Sequence, residues 1–234
     1  MPFNFFKEHI YSINYNSLYN SPIISETFKN HPEYIESMIK ILEEIDLTLN
    51  NTDINENFAP CNAFEQEVIF NGCTFYIQFN IDNILKNIFY HPLRYNHSKL
   101  YLKKTSIIDC ISYTKESYER KHLQSKKPII LSPFYKLPAK KFVVIDGNHR
   151  LTAKLENNIE YINYIIYNPI NKSDFCSLFD WAMYISFMEV NYIISKVNNG
   201  HSIEPLLVGS LFFDIFQNFR FDSKESSTYS FTTD

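Results

Sequence analysis

FVVIDGNHRLTA, residues 142–153, is the stretch of sequence that decides the fold. Its first four residues are apolar and three of them are β-branched, which predicts a buried strand. Gly147 can adopt the positive φ that a sharp turn requires, and Leu151 and Leu155 then lie on one face of a helical pattern. We therefore expect a strand, a turn at Gly147 and a helix.

The turn is a candidate anion site. The first N–H groups of a helix have no intrahelical partner, and the helix dipole adds about half a positive charge there. Arg150 can grip a phosphate through two parallel hydrogen bonds, His149 can exchange a proton near neutral pH, and Asp146 can hold a metal ion, orient His149 or cap the helix. The predicted phosphate-binding residues are Gly147, Asn148, His149, Arg150 and Thr152.

A purely structural interpretation of the same residues is open. In it Asp146 caps the helix, Gly147 makes a turn, and the side chains of His149 and Arg150 are solvated. We favour the functional interpretation because four functional residue types meet at the end of a strand, where α/β proteins place ligands.

The flanking segments extend the pattern to a small sheet. Residues 106–111 and 128–131 are short apolar strands with a polar helical stretch at 114–123 between them, and 161–167 is a further strand. The predicted order is strand, helix, strand, strand, turn, helix, strand. Further candidates for the wall of a pocket are Ser112, Thr114, Lys115, Lys126 and Lys127.

The N-terminal part of the chain is predicted to contribute a helix and a hairpin. Asn30 is placed as the N-cap of a helix that reaches Leu49, with Glu33 at position N3. Residues 67–80 are rich in β-formers and contain Asn71-Gly72, the favoured two-residue hairpin turn.

The C-terminal part is predicted to be helical. Residues 173–197 form a helix that is apolar on nearly all sides and ends at Asn199-Gly200, so it should pack over a sheet or in a subunit interface. The polar residues after Arg220 are expected to fray.

Composition points to a soluble cytoplasmic protein. The chain has 234 residues, 45% of them hydrophobic, enough for a sizeable core. Its four cysteines include no CxxC pair, which argues against a zinc knuckle or a disulfide framework. No secretory signal pattern is present, and Asp180 and Glu189 interrupt the most apolar stretch, so no membrane span is expected.

The formal net charge of −4 hides an asymmetry along the chain. Between Arg94 and Lys154 there are fourteen basic and four acidic residues, a net charge of +10, which leaves −14 for the rest. The basic segment suits an anionic ligand, either a nucleotide or a nucleic-acid backbone. Ordinary solvated lysines that balance acidic neighbours in space are the alternative.

IDGNHRLTAKLENN (145–158), with PIIL upstream and YINYIIY downstream, resembles the ParB/sulfiredoxin superfamily over residues 98–168. Members share a small α/β core in which a DGxHR-like or GERR-like box begins a helix and binds nucleotide phosphates. The resemblance implies an α+β fold with a mixed-sheet core at 98–168. Residues 1–97 would be an N-terminal α+β extension, and 169–234 a C-terminal helical cover with a polar tail.

Differences from known members narrow the expected activity. Sulfiredoxins carry a cysteine immediately before the His-Arg pair, where this chain has Asn148, so sulfinic-acid reduction is not expected. Partition-type ParB proteins use a GERR box and a helix-turn-helix, and neither pattern is found here. The box is similar to that of DGxHR members, which include free-amino-acid kinases. Those kinases also need an upstream glutamate as base, for which Glu116 and Glu119 are the candidates.

The resemblance therefore implies a nucleotide-binding phosphotransferase or NTPase that uses ATP, ADP or CTP with Mg²⁺. Asp146 is the candidate Mg²⁺ ligand. Two alternatives stay open: a DNA-binding protein or metal-dependent nuclease, and a non-catalytic partner-binding protein of a bacterial or phage mobile element. An oligomer through the 173–197 helix is also possible. The candidate catalytic residues are Asp146, His149, Glu116 and Glu119.

Overall fold

The computed structural model describes residues 3–4, 9–10, 13–51, 62–70, 73–95, 97–102, 109–136 and 140–217. Its strands are β1 (Phe3–Asn4), β2 (His9–Ile10), β3 (Ala63–Phe70), β4 (Cys73–Asn80), β5 (Ser98–Tyr101), β6 (Ile111–Ser112), β7 (Ile129–Lys136), β8 (Lys140–Asp146) and β9 (Tyr161–Ile166). Its helices are α1 (Tyr15–Tyr19), α2 (Pro22–Thr27), α3 (Pro32–Asn51), α4 (Ile81–Tyr90), α5 (Arg120–Gln124), α6 (Asn148–Glu156), α7 (Leu178–Asn198), α8 (Glu204–Val208) and α9 (Leu211–Phe216), with a 3-10 turn at Lys172–Asp174. The predicted α+β class is confirmed.

A five-stranded mixed sheet lies at the centre, in the order β5-β9-β7-β8-β6. Strand β7 pairs antiparallel with β8 and parallel with β9. Ile129 and Leu131 on β7 point into one hydrophobic cluster, and Ile130 between them points into the other. The apolar runs predicted to be strands are continuous because both faces of the sheet are covered.

The two faces carry layers of unequal size. The smaller cluster contains Leu151 of α6 packed with side chains of the sheet such as Val144. The larger cluster joins the opposite face of the sheet to the β3–β4 hairpin and helices α1, α2, α3, α7 and α9. The segments predicted at 1–97, 98–168 and 169–234 all contribute to this larger cluster, for example through Phe75, Val143 and Phe187.

Helix α7 forms the middle of the larger layer. Thirteen of its twenty-one residues are buried, so most of its surface is used within its own chain. An oligomer interface on this helix stays a prediction, and Tyr192, 43% exposed, is one of the few large apolar side chains it leaves at the surface.

A buried carboxylate fixes the start of α7 against the hairpin. Asp180 is 5% exposed and accepts hydrogen bonds from the backbone N–H of Gln78 at 2.8 Å and from Ser177 Oγ at 2.5 Å. Burial, partly offset by these hydrogen bonds, raises the pKa of Asp180 to about 7.

Three helix boundaries differ from the predictions. Helix α3 begins at Pro32, so Asn30 is not its N-cap. Helix α7 begins at Leu178 and not at 173, because residues 172–174 form a separate 3-10 turn and Ser177 caps the helix. The predicted helix at 114–123 is wrong except for α5 at its end.

The hairpin at β3–β4 is confirmed, with Phe70 paired to Cys73, although Asn71-Gly72 lies outside the described residues. Residues 106–108 of the strand predicted at 106–111 and the tail after Arg220 also lie outside them, whereas 109–110 form a turn, so this strand begins only at Ile111. Within the described ranges, no helix combines the length and the apolar character needed to cross a membrane.

Candidate functional site

The predicted strand–turn–helix is present, and Gly147 is its turning point. Gly147 has φ +103°, a left-handed conformation, and precedes the first residue of α6. A Cβ there would lie 2.7 Å from Ile129 Cγ2 and 2.8 Å from Arg150 Nη2, so only glycine fits this position. The N-cap, being glycine, offers no side chain to cap α6. The N–H groups of the first turn of α6 are therefore of the kind that binds anions in other proteins.

Asp146 and Arg150 form an ion pair beside the turn. Arg150 Nη2 donates to Asp146 Oδ2 at 2.7 Å and to the carbonyl of Pro128 at 3.0 Å. The Arg150 side chain is 15% exposed and that of Asp146 is 28% exposed. Arg150 Nε is buried without a hydrogen-bond partner among the described residues. One nitrogen, Nη2, therefore fixes the guanidinium through two hydrogen bonds, and Nε keeps an unused donor.

The pair opens into a cleft of about 1020 Å³ between the sheet and α4. The cations that line it, besides Arg150, are Lys86 and Lys127, and the carboxylates are Asp82 and Asp146. The remaining lining residues are mainly apolar: Leu85, Ile88, Phe89, Tyr90, Pro92, His97, Pro128, Ile130 and Ile165. This volume is at the upper end of the range for small-molecule sites, about 300–1,000 Å³.

Other polar residues of the box point away from this cleft and hold a neighbouring segment. Asn148 is 5% exposed; its Oδ1 accepts from the N–H of Thr114 at 3.0 Å and its Nδ2 donates to the Val144 carbonyl at 3.1 Å. Thr152 Oγ1 accepts from the N–H of Glu116 at 3.3 Å. Because α6 side chains satisfy these N–H groups, residues 113–119 have no regular secondary structure and do not form the predicted helix.

His149 joins Glu116 on the same side of α6. Its Nε2 lies 2.5 Å from Glu116 Oε2, and its Nδ1 lies 2.5 Å from the Ser117 carbonyl. A carbonyl oxygen only accepts, so Nδ1 carries a proton. The imidazole also stacks on that of His122, with ring centroids 5.1 Å apart and an interplanar angle of 16°. To exchange a proton with a ligand, His149 would first have to release Glu116.

Glu119 lies further along the same segment. Its carboxylate accepts from Lys121 Nζ at 3.0 Å, and this hydrogen bond lowers the pKa of Glu119. The residue also caps α5. The pairing with Lys121 occurs on an exposed surface, outside the set of residues that line the cleft.

The structure thus divides the predicted site into two groups. Asp146 and Arg150 line the cleft, and Gly147 forms the turn between them. The side chains of Asn148, His149 and Thr152 instead contact residues 114–117, and the contact of His149 includes the Glu116 carboxylate. Catalytic roles for His149, Glu116 and Glu119, and phosphate contacts by the side chains of Asn148 and Thr152, stay predictions.

Sequence reasoning missed the wall that α4 contributes to the cleft. Of the further candidates, Lys127 lines the cleft, whereas Thr114 bonds to Asn148 and Lys115 pairs with Glu156 at 2.6 Å. The sequence did contain one signal for this wall: the adjacent aromatic residues Phe89 and Tyr90 stand just before Pro92, a residue that often follows the end of a helix.

The residues of the cleft suit a magnesium ion whose ligands come partly from the protein and partly from a bound phosphate. The described residues contain no group of three or more His, Cys, Asp or Glu side chains arranged around one point. Mg²⁺ usually binds through one or two carboxylates plus phosphate oxygens and water. Asp146 would be the main ligand, since its bond to Arg150 uses Oδ2 and leaves Oδ1. The ion would neutralise phosphate charge.

Replacing Asn148 by alanine is expected to release residues 113–119 from α6. The Thr114 N–H and the Val144 carbonyl both lose their partner, which should cost about 2 kcal/mol of stability. Hydrogen exchange measured by mass spectrometry should show faster exchange at residues 114–117, with the amides of Ile129 and Leu131 as the internal control. Unchanged exchange at 114–117 would contradict the tethering role of Asn148.

Comparison with models of protein families, with curated proteins and with solved structures gives no match for this chain.

Proposed function

We propose that the chain binds a nucleoside di- or triphosphate in the α4–α6 cleft and transfers or hydrolyses a phosphoryl group, as a member of the ParB/sulfiredoxin type would. The observation that carries the proposal is the position of Arg150. A fixed guanidinium stands beside the uncapped N-terminus of α6, in a cleft large enough for a nucleotide.

Charge favours a phosphate over a neutral ligand. Lys86, Lys127 and Arg150 give the cleft three permanent cations against the carboxylates of Asp82 and Asp146. Arginine binds phosphate oxygens bidentately, and a helix N-terminus adds backbone donors and a favourable dipole. The ligand's phosphate would lie between Arg150 and the Gly147 turn.

Asp146 has two proposed tasks. Its bond to Arg150 orients the guanidinium, and its second oxygen would ligate Mg²⁺ or accept a proton from the attacking hydroxyl or water. His149 and Glu116 would support this chemistry by fixing residues 116 and 117 against α6. We place the activity in the cytoplasm, because the four cysteines of the sequence include no CxxC pair and a reducing compartment suits such a chain.

Arg150→Ala is expected to weaken nucleotide binding by at least about tenfold, because a hydrogen bond to a charged group contributes about 1.5–3 kcal/mol. Isothermal titration of the full chain with ATP, ADP, CTP and GTP in the presence of Mg²⁺ measures this. The matched control is Lys154→Ala, one turn further along α6, where the ammonium donates to the Leu123 carbonyl at 3.3 Å.

The binding proposal fails if none of the four nucleotides binds the wild-type chain, or if Arg150→Ala binds as tightly as Lys154→Ala does. The catalytic part is tested separately, by release of inorganic phosphate from the nucleotide that binds. Wild-type protein that binds a nucleotide but neither hydrolyses it nor transfers a phosphoryl group to added acceptors would reduce the proposal to a nucleotide-binding protein.

Nucleic-acid binding is a second candidate, favoured by a groove of about 490 Å³ on the far side of Lys127. Lys126, Lys127 and Lys154 line this groove together with Tyr161, and Lys99 Nζ lies 4.4 Å from the centre of the Tyr161 ring. Basic side chains next to an exposed aromatic ring suit a single strand. In the same titrations, a single-stranded oligonucleotide that binds and is not displaced by nucleotide would favour this function.

A further inference from the structure

The cleft has a second wall, formed by α4. Asn83 Nδ2 donates to the Ser173 carbonyl at 2.9 Å. One turn later, Asn87 Nδ2 donates to the hydroxyl of Tyr167 at 3.0 Å and to Asp174 Oδ1 at 3.1 Å. Asp174 is fully buried. Two side chains on one side of α4 therefore fix the helix to the body of the protein.

The C-terminal end of α4 presents aromatic rings to solvent. Phe89 is 77% exposed and Tyr90 is 71% exposed, and both line the cleft. Their ring centroids lie 5.5 Å apart at an interplanar angle of 76°. Leu85, 41% exposed, extends the apolar surface by one turn. Adjacent exposed aromatic side chains on a firmly held helix mark a surface that binds an apolar partner.

We propose that Phe89 and Tyr90 pack against the aromatic base of the bound nucleotide. This inference rests on the proposed nucleotide function and names what recognises the rest of the ligand. The cleft has two kinds of binding surface that a single molecule could occupy. The cations Lys127 and Arg150 suit an anion, and the aromatic pair in the same cleft suits a flat ring. A nucleoside phosphate carries both at its two ends.

The position of this surface in the chain separates it from the phosphate-binding box. Helix α4 belongs to residues 1–97, outside the 98–168 segment that contains the box. Base recognition would thus be contributed by the N-terminal extension, and phosphate recognition by α6. The extension acquires a function: it completes the ligand site.

Titration of the full chain with ADP, GDP, CDP, UDP and inorganic pyrophosphate tests the proposal. At least one nucleoside diphosphate is expected to bind wild-type protein about tenfold or more tightly than pyrophosphate does, because stacking of a base on an aromatic side chain has an effect of this size. Phe89→Ala should remove most of that difference and leave the affinity for pyrophosphate unchanged. Phe89 is so exposed that this substitution should not disturb folding.

Leu93→Ala is the matched control, since Leu93 is 96% exposed and close in sequence but does not line the cleft. It should bind every ligand as wild-type protein does. Equal affinity of wild-type protein for pyrophosphate and for the diphosphates, or diphosphate affinity unchanged by Phe89→Ala, would overturn base recognition while leaving the phosphate site standing.

Two further outcomes are decisive. Failure of all five ligands to bind would overturn both base recognition and the proposed function. The other is that Phe89→Ala alters the molar mass measured by light scattering while nucleotide affinity stays the same. A second copy of the chain would then be the partner of this surface, and base recognition would be wrong.

Discussion

Replacing Gly147 by alanine is expected to destabilise the protein by about 3 kcal/mol, the sum of a left-handed backbone and an overpacked contact. Gly147 has φ +103°, and the new Cβ would meet Ile129 Cγ2 at 2.7 Å, inside the smaller cluster, and Arg150 Nη2 at 2.8 Å. Ile129 is fully buried on the central strand and cannot move away without disturbing its neighbours. The free energy of unfolding in urea measures the effect.

Gly200→Ala separates the two causes. Gly200 follows the end of α7 with φ +83°, and a Cβ added there would meet no atom of the described residues within 4 Å. Alanine at this position therefore carries the backbone cost alone, about 1 kcal/mol. Equal losses at the two positions would show that the contacts with Ile129 and Arg150 add nothing. Because Arg150 Nη2 is one of the two crowded atoms, Gly147→Ala should also weaken nucleotide binding, whereas Gly200→Ala should not.

Asp180→Asn is expected to stabilise the protein at neutral pH and to lose that advantage in acid. Burial raises the pKa of Asp180 from 3.8 to about 7 in the folded state. The folded chain therefore holds the proton more tightly than the unfolded chain, and this contribution is fully present below pH 3.8 and lost as pH rises to about 7. Asparagine keeps an acceptor for the Gln78 N–H without a charge.

The difference in unfolding free energy between Asp180→Asn and wild type should grow by about 1.4 kcal/mol per pH unit within this window, toward a total of about 4 kcal/mol. Urea unfolding at pH 5, 6, 7 and 8 measures the slope. Asp109→Asn, at an exposed position, is the control and should run parallel to wild type. A constant difference between Asp180→Asn and wild type from pH 5 to 8 would contradict a titration shifted by burial.

The central sheet could be predicted because its signals are local. Continuous apolar runs at 128–131 and 142–145 predict strands buried on both faces, and the glycine after Asp146 predicts the turn. The helix predicted at 114–123 is wrong for a non-local reason. The N–H groups of Thr114 and Glu116 bond to Asn148 and Thr152, more than thirty residues away, and no local pattern encodes that competition.

The candidate site was predictable only in part. The box identifies Asp146, Gly147 and Arg150, but a linear motif does not show which face of a helix each side chain takes. His149 therefore had to be placed by the structure, on the side of Glu116 and away from the residues that line the cleft. Helix α4 reaches the cleft through the bonds of Asn87 with Tyr167 and Asp174, a tertiary arrangement without a sequence signature.

The two unequal layers on the sheet have a consequence for how the molecule fluctuates. Among the described residues, helix α6 belongs to a cluster of eight buried side chains, whereas α4 contributes Ile81 and Ile84 to the much larger one. A layer with few buried contacts opens locally at lower free energy than the whole protein unfolds. A ligand lying between Arg150 and Phe89 would contact both layers. Its binding free energy would therefore suppress the separate opening of the smaller layer.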